Sequence, residues 1–136
     1  MEEKKAGFIL RVTALTIDEI ILVSATFILI QFIKWVINEE ITHSLLFIIL
    51  FYELLDYNYY TLFWVFGGQT PGKMLMKTKL VKMNGSRFTY KDSFIRYWTW
   101  MVGVALLGVG YFWIAWNKNK QGWNDITAKT YVIRVQ

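Results

Sequence analysis

Residues 8–37 read FILRVTALTIDEIILVSATFILIQFIKWVI, and this stretch decides the fold class. It contains no proline and no glycine. Because a helix rises about 1.5 Å per residue, the stretch is long enough to cross a hydrocarbon core of about 30 Å with residues to spare. The apolar run continues through Trp35 without the small-residue cleavage site of a signal peptide, so we expect it to stay in the membrane.

Two further apolar stretches follow. The second, residues 44–66, is long enough to span the membrane, and a short acidic link at 38–43 joins it to the first. The third, residues 94–116, has Arg96 near its start and glycines at positions 103, 108 and 110. We predict an all-α membrane protein, a single domain over residues 1–136, with two transmembrane helices and a third interfacial, re-entrant or spanning segment.

The composition agrees with this prediction. The chain has 136 residues, 55% hydrophobic and 18% aromatic, which is more apolar surface than a domain of this size buries in its own interior. With no cysteine and one histidine, His43, it offers no disulfide framework and few metal ligands. The net charge of +5 fits the basic cytoplasmic face of a membrane protein better than a nucleic-acid surface. We expect no metal, no cofactor and no nucleic-acid partner.

A small cytoplasmic β-hairpin is predicted after the second stretch. Asn84-Gly85 lies between apolar residues, and Asn-Gly is the strongest two-residue hairpin signal. Residues 131–135 form a further short strand that is expected to pair with the hairpin. Thr89 and Asp92 have the spacing of a capping box, so a helix is expected to begin directly after Thr89.

Basic residues set the expected topology. They lie before and at the start of the first stretch, whereas the link 38–43 has two glutamates and no lysine or arginine. The positive-inside rule therefore places the N-terminus and the basic segment 73–91 in the cytoplasm. A third plain span would place the basic residues of segment 118–134 outside, so we favour an amphipathic helix followed by a glycine-bent segment that returns inside.

Arg11 and Asp18 lie two helical turns apart on one face of the first stretch, separated by about 10 Å along the axis. Small residues share this face, as is typical of a helix–helix contact. Asp18 falls about 15 Å into the membrane, where a lone carboxylate costs several kcal/mol unless it is paired, protonated or hydrated. Two alternatives stay open: a buried structural ion pair, and a cation or proton site.

Glu53 and Asp56 form a second acidic pair on one face of the second stretch, at about the depth of Asp18. Three acids near one level are not all ionised without a cation, because burial and like charges both favour the protonated form. Either these acids form a proton-coupled cation site, or Glu53 and Asp56 bond to neighbouring tyrosines or to Arg96 and hold the helices together.

Segment 67–73 has the glycine and lysine spacing of a phosphate-binding loop. Met74 follows where that loop needs serine or threonine, and the segment comes after a membrane helix instead of a strand, so we reject this interpretation. Thr70 and Lys73 either brace the loop against the C-terminal tail or bind an anionic lipid headgroup or an acidic partner.

Asp125, in the sequence QGWND, is the last candidate. It or Asn124 caps a short helix, or Asp125 pairs with Arg11 or Arg96, or it contacts a transported species. The sequence shows no serine–histidine arrangement, no metal-ligand spacing and no nucleotide fingerprint. We therefore do not expect an enzyme.

The chain resembles the RDD family of prokaryotic membrane proteins, named for one arginine and two aspartates. The matching landmarks, in order, are Arg11-x-x-Ala14-x-x-Ile17-Asp18, Gly68-x-Thr70-x-Gly72-Lys73, Asn84-Gly85, Arg96 and Asp125. They cover the chain from Gly7 to Val135. Asn124 stands where a histidine is common in the family, and Glu53 and Asp56 are not part of the family motif.

The resemblance implies a bacterial or archaeal inner membrane and transport of ions or small solutes, or an accessory role beside other membrane proteins. We expect a multi-pass transport-type protein that exchanges a monovalent cation for protons at Asp18, with Arg11 and Asp125 as a cytoplasmic gate or brace. Few spans enclose a pathway alone, so we expect a homo-oligomer in the lipid bilayer. The alternative is a non-transporting accessory or regulatory protein that binds a partner membrane protein or anionic lipid through its basic cytoplasmic face.

Overall fold

The computed structural model describes residues 4–37 and 44–135. Its elements are, in chain order, α1 (Phe8–Ile37), α2 (Leu45–Phe66), α3 (Pro71–Leu75), β1 (Thr78–Lys82), α4 (Tyr90–Ala105), α5 (Val109–Trp116), α6 (Trp123–Thr127) and β2 (Thr130–Arg134). The prediction of a mostly helical chain with a small β element is confirmed. The link 38–43 was predicted to lie outside the cytoplasm. It is not among the residues that the structure describes.

Helix α1 is long and apolar enough to cross a membrane, and only 17% of its apolar window is buried, unlike the core helix of a soluble domain. Its exposed side chains are large and apolar, Phe27 and Trp35 among them. The buried residues recur every three or four positions and so form one face: Arg11, Ala14, Asp18, Leu22, Thr26 and Ile30. This face of α1 contacts the rest of the protein. The remaining surface of the helix is apolar and suited to contact with lipid.

Helices α4 and α5 meet the same length and hydropathy test only together, and they are bent by 97° at the break between them. Leu107 and Gly108 at the break both have positive φ, 58° and 76°, and glycine adopts this conformation without a Cβ clash. The two arms approach each other across the bend, where a Cβ at Gly103 of α4 would lie 3.1 Å from the Cα of Gly110 of α5. Glycines thus make the bend and let its two arms pack closely.

The prediction of a β-hairpin at Asn84-Gly85 is wrong. A two-residue hairpin turn of this type needs positive φ at both central residues, and only Gly85 has it. The Asn84 side chain instead accepts the backbone N–H of Ser86 at 3.1 Å, and the chain continues to α4 without a second strand. The predicted strand near the end of the chain is confirmed, because β2 pairs antiparallel with β1.

The predicted capping box begins α4. The Thr89 hydroxyl accepts the N–H of Asp92 at 3.3 Å, and the Asp92 carboxylate accepts the N–H of Thr89 at 2.9 Å. Lys82, at the end of β1, also pairs with Asp92 at 2.9 Å. This pairing fixes the sheet to the start of α4.

The residues before α1 add to the edge of β2. The N–H of Ala6 donates to the carbonyl of Val132, and the N–H of Arg134 donates to the carbonyl of Lys4, both at 2.8 Å. A core of aromatic and aliphatic side chains joins this sheet to the helices, with Tyr60 and Trp64 from α2 among its members. The first described residues, β1 and β2 therefore lie together at one end of the molecule.

Candidate functional site

Asp125 lies at the centre of a buried charge cluster that joins three helices. One carboxylate oxygen accepts a hydrogen bond from Arg11 of α1 at 2.7 Å, and the other accepts from Arg96 of α4. The N–H of Gly122, at the start of α6, donates to the same carboxylate at 2.9 Å. The structure therefore contains both the helix capping and the arginine pairing that the sequence left as alternatives.

The two arginines determine the charge of Asp125. Burial raises the pKa of its carboxyl, but the guanidinium groups of Arg96 and Arg11 outweigh that effect and hold the pKa at about 2. Arg96 also donates to the hydroxyl of Thr130 at 2.7 Å. An ionised carboxylate between two arginines makes this cluster a brace between α1, α4 and α6.

Asp18 is fully buried and is held by neutral donors from α2 and the loop after it. Its carboxylate accepts hydrogen bonds from the Tyr59 hydroxyl at 2.8 Å, the Thr70 hydroxyl, and the N–H of Gly72 at 2.8 Å. Within the described residues it forms no ion pair, and Arg11 turns to Asp125 instead. The role of Asp18 as a cation or proton ligand stays a prediction.

Thr70 and Lys73 contact different parts of the structure. The Thr70 hydroxyl fixes its loop to Asp18 of α1, so the expected brace against the C-terminal tail is corrected to a brace against the first helix. The ammonium of Lys73 lies 5.8 Å from the centre of the Tyr60 ring. Burial lowers the pKa of Lys73 to about 8, although the carboxylate of Asp18 opposes this shift.

Lys73, Arg11 and Arg96 line one cavity of about 50 Å³. Trp64 forms part of its wall, with the Arg96 guanidinium 5.2 Å from the centre of the Trp64 ring. The sequence analysis offered Arg11 and Arg96 as alternative partners of Asp125 but did not bring Lys73 to them.

Glu53 and Asp56 contact Tyr97 of α4, and not Arg96. The Tyr97 hydroxyl lies 2.9 Å from a Glu53 oxygen and 2.6 Å from an Asp56 oxygen. The other oxygen of Asp56 is buried and has no hydrogen-bond partner among the described residues. Of the two alternatives, bonding to a tyrosine is therefore present in the structure.

Glu19 is a polar residue that the sequence analysis did not single out. It accepts hydrogen bonds from Tyr60 at 3.1 Å and from Tyr52, both on α2. Adjacent helical residues point about 100° apart, so Glu19 faces α2 beside Asp18. Its position next to Asp18 in an apolar helix was the sequence feature that could have identified it as a candidate. Asp18 and Glu19 both accept hydrogen bonds from tyrosines of α2, whereas Glu53 and Asp56 share Tyr97 of α4, so the three predicted acids do not share one hydrogen-bond partner.

Among residues 4–37 and 44–135, no three acidic or histidine side chains form a group that could hold a metal ion. Four acids are instead bonded to tyrosine hydroxyls from two helices, α2 and α4: Asp18, Glu19, Glu53 and Asp56. Asp125 is bonded to two arginines.

Comparison with known proteins gives one match. A family model described as the RDD family matches residues 5–129. The matched region includes Arg11, Asp18 and Asp125, which hold α1 to α2, α4 and α6. No curated protein and no solved structure matches the chain.

Proposed function

Because the chain belongs to the RDD family, a membrane-associated family, we propose that it is a transport-type membrane protein that exchanges a monovalent cation for a proton. The exchange takes place at Glu53 and Asp56, which Tyr97 joins. Asp18, whose oxygens already accept three hydrogen bonds, supports this site by fixing the loop after α2 to α1.

The contact of Tyr97 with two carboxyl groups carries the proposal. A phenol has one proton, so Tyr97 donates to only one of the two acids. The second contact is satisfied when the other carboxyl is protonated and donates to the phenol oxygen. No ion pair reaches Glu53 or Asp56 within the described residues. The arrangement is therefore suited to hold a proton.

Loss of that proton creates a place for a cation. Two ionised carboxylates without a basic partner are costly in an apolar environment. The unpartnered oxygen of Asp56 and the Tyr97 hydroxyl are hard oxygen ligands for a small monovalent cation. A cation and a proton compete for the same negative charge, which is the requirement for exchange.

The sheet supports the predicted topology. β1 precedes α4 and β2 follows α5, and the two strands are hydrogen bonded to each other. The chain between them thus returns to the side from which it left, which favours a re-entrant α4–α5 over a third plain span. Basic residues are exposed at the sheet end, including Lys77, Lys129 and Arg134, and this supports a cytoplasmic N-terminus at a bacterial or archaeal cell membrane.

A homo-oligomer completes the pathway in this proposal. Two spans and one re-entrant segment enclose little space, and large apolar side chains at the bend are exposed, with Leu107 at 91%. Such a surface contacts lipid or a second copy of the chain.

Proteoliposomes with an imposed pH gradient test the proposed exchange. Wild type should dissipate the gradient when sodium, potassium or lithium is added, and Asp56→Asn should abolish that response. The matched control is Asp92→Asn, which removes a carboxylate at the capping box and should leave the response unchanged. Equal responses from wild type and Asp56→Asn, with both proteins folded, would exclude the site.

The exposed basic surface favours a second candidate, an accessory or regulatory protein that binds a partner membrane protein or anionic lipid. Its exposed residues include Lys77, Arg87, Lys91, Lys118, Lys120 and Lys129. Crosslinking of a larger membrane protein to this surface, together with no ion flux by the purified chain, would favour the accessory role over exchange.

A further inference from the structure

The cavity between α1, α2, α3 and α4 is basic. Three cationic side chains line it, Arg11, Lys73 and Arg96, and no acidic side chain of the described residues does so. The carboxylates that act on Lys73 are those of Asp125, bonded to both arginines, and Asp18, bonded to the N–H of the neighbouring Gly72. Even with both acids ionised, the three cations leave an excess of one positive charge.

Several hydrogen-bond donors at this cavity have no acceptor. The Nε and Nη2 of Arg11, the Nε of Arg96 and the indole N–H of Trp64 are buried and find no partner among the described residues. All three side chains are at most 6% exposed. A buried donor without an acceptor costs about 1–3 kcal/mol, and more when it is charged. Four such atoms belong to side chains that line one cavity, which favours an acceptor with several oxygens there.

Lys73 adds a charge that no carboxylate neutralises directly. Within the described chain it forms no ion pair, and its ammonium instead lies over the ring of Tyr60. Its side chain lines the cavity from α3, and the two arginines line it from α1 and α4. The space therefore has cationic side chains from three helices.

We propose that this cavity binds a small oxyanion, a phosphate group, through Arg11, Arg96, Lys73 and the indole N–H of Trp64. A guanidinium presents parallel N–H donors that match the oxygens of phosphate, and lysine supplies a point charge. A volume of about 50 Å³ holds a few water-sized groups, which suits one phosphate group. Neither Glu53 nor Asp56 lines this cavity, although Tyr97 does, and the proposal does not depend on cation exchange.

The phosphate group comes either from free phosphate or from a lipid headgroup, and calorimetry on the full chain separates these sources. In phosphatidylcholine nanodiscs at constant ionic strength, saturable heat on titration with inorganic phosphate identifies the free ion. Phosphatidic acid retained by the purified chain in native mass spectrometry, without such heat, identifies the headgroup. Either result supports the site.

Two variants test the residues. Lys73→Met should weaken phosphate or phosphatidic acid binding about tenfold, the value of one charge-assisted hydrogen bond, whereas the exposed-lysine control Lys129→Met should bind like wild type. Trp64→Phe keeps an aromatic ring against Arg96 but removes the N–H, and should weaken binding several-fold even if Lys73→Met fails to fold. Absence of both phosphate heat and retained phosphatidic acid, or binding unaffected in both variants, would overturn the proposal.

Discussion

Gly72 lies directly against Asp18. The N–H of Gly72 donates to the Asp18 carboxylate at 2.8 Å, and a Cβ at position 72 would lie 2.9 Å from the carboxylate carbon and 2.1 Å from the carbonyl oxygen of Ala14. Only glycine allows this approach. The loop after α2 thus reaches the buried face of α1 through its backbone, without a charged partner.

Substitution of this glycine tests the close approach. Gly72→Ala should lower the free energy of unfolding by at least about 2 kcal/mol, because a backbone oxygen cannot move aside as a flexible side chain does. The control is Gly7→Ala, where a Cβ would meet nothing within 4 Å. Thermal unfolding in detergent measures both variants, and equal melting temperatures would contradict the packing described.

Removal of the Asp125 charge should destabilise the protein strongly. Asp125→Asn leaves two buried guanidinium groups without a counter-charge, and breaking a buried pair in this way costs about 3–5 kcal/mol. Asp92→Asn breaks a half-buried pair with Lys82 and should cost about 1 kcal/mol or less. Unfolding of both variants under the same conditions gives the comparison. A smaller loss for Asp125→Asn than for Asp92→Asn would show that Asp125 does not brace the helices.

Acid should remove the contribution of Asp125 to the free energy of unfolding. Its pKa in the folded protein, about 2, lies below the ordinary value of 3.8. A carboxyl with a lowered pKa stabilises the fold above its ordinary pKa and loses this contribution as the pH falls towards the folded value. The stability difference between wild type and Asp125→Asn should therefore be constant near neutral pH and shrink between pH 4 and pH 2. A difference that is unchanged at pH 2 would contradict the assignment.

Oxyanion binding at the cavity should weaken as the pH rises through about 8, where Lys73 loses its proton. The charged and titratable groups that face Lys73 are Asp18 and Arg11 of α1, Tyr60 of α2, Arg96 of α4 and Asp125 of α6. Sulfate is the suitable probe because its own charge is constant in this range. Its affinity should fall between pH 7 and pH 9 for wild type and stay flat for Lys73→Met. Parallel profiles would exclude Lys73 from the site.

Local patterns in the sequence predicted the local features correctly. The length and hydropathy of residues 8–37 predicted α1, and the spacing of Thr89 and Asp92 predicted the start of α4. Both depend on residues within a few turns of one another. The hairpin prediction at Asn84-Gly85 also used only local sequence, and it failed because tertiary packing chooses the partner of a strand. β1 pairs with a strand about fifty residues further along the chain.

The site depends on contacts between residues that are distant in the sequence. Arg11 and Asp125 are 114 positions apart, and a single sequence contains charges of both signs without stating which of them meet. Asp18 was expected to be paired, protonated or hydrated, and the structure surrounds it with neutral hydroxyls and a backbone N–H. Glu19 was overlooked because its hydroxyl partners on α2 are set by how α1 and α2 pack.

Difference infrared spectroscopy of the carboxyl C=O stretch tests most directly whether Glu53 and Asp56 hold an exchangeable proton. Wild type at neutral pH should show the band of a protonated carboxyl, and the band should shrink when sodium, potassium or lithium is added. Asp56→Asn should lack this response, and Asp92→Asn should retain it. A spectrum of wild type with no protonated carboxyl, or with a band that none of these cations changes, would contradict proton–cation exchange at this site.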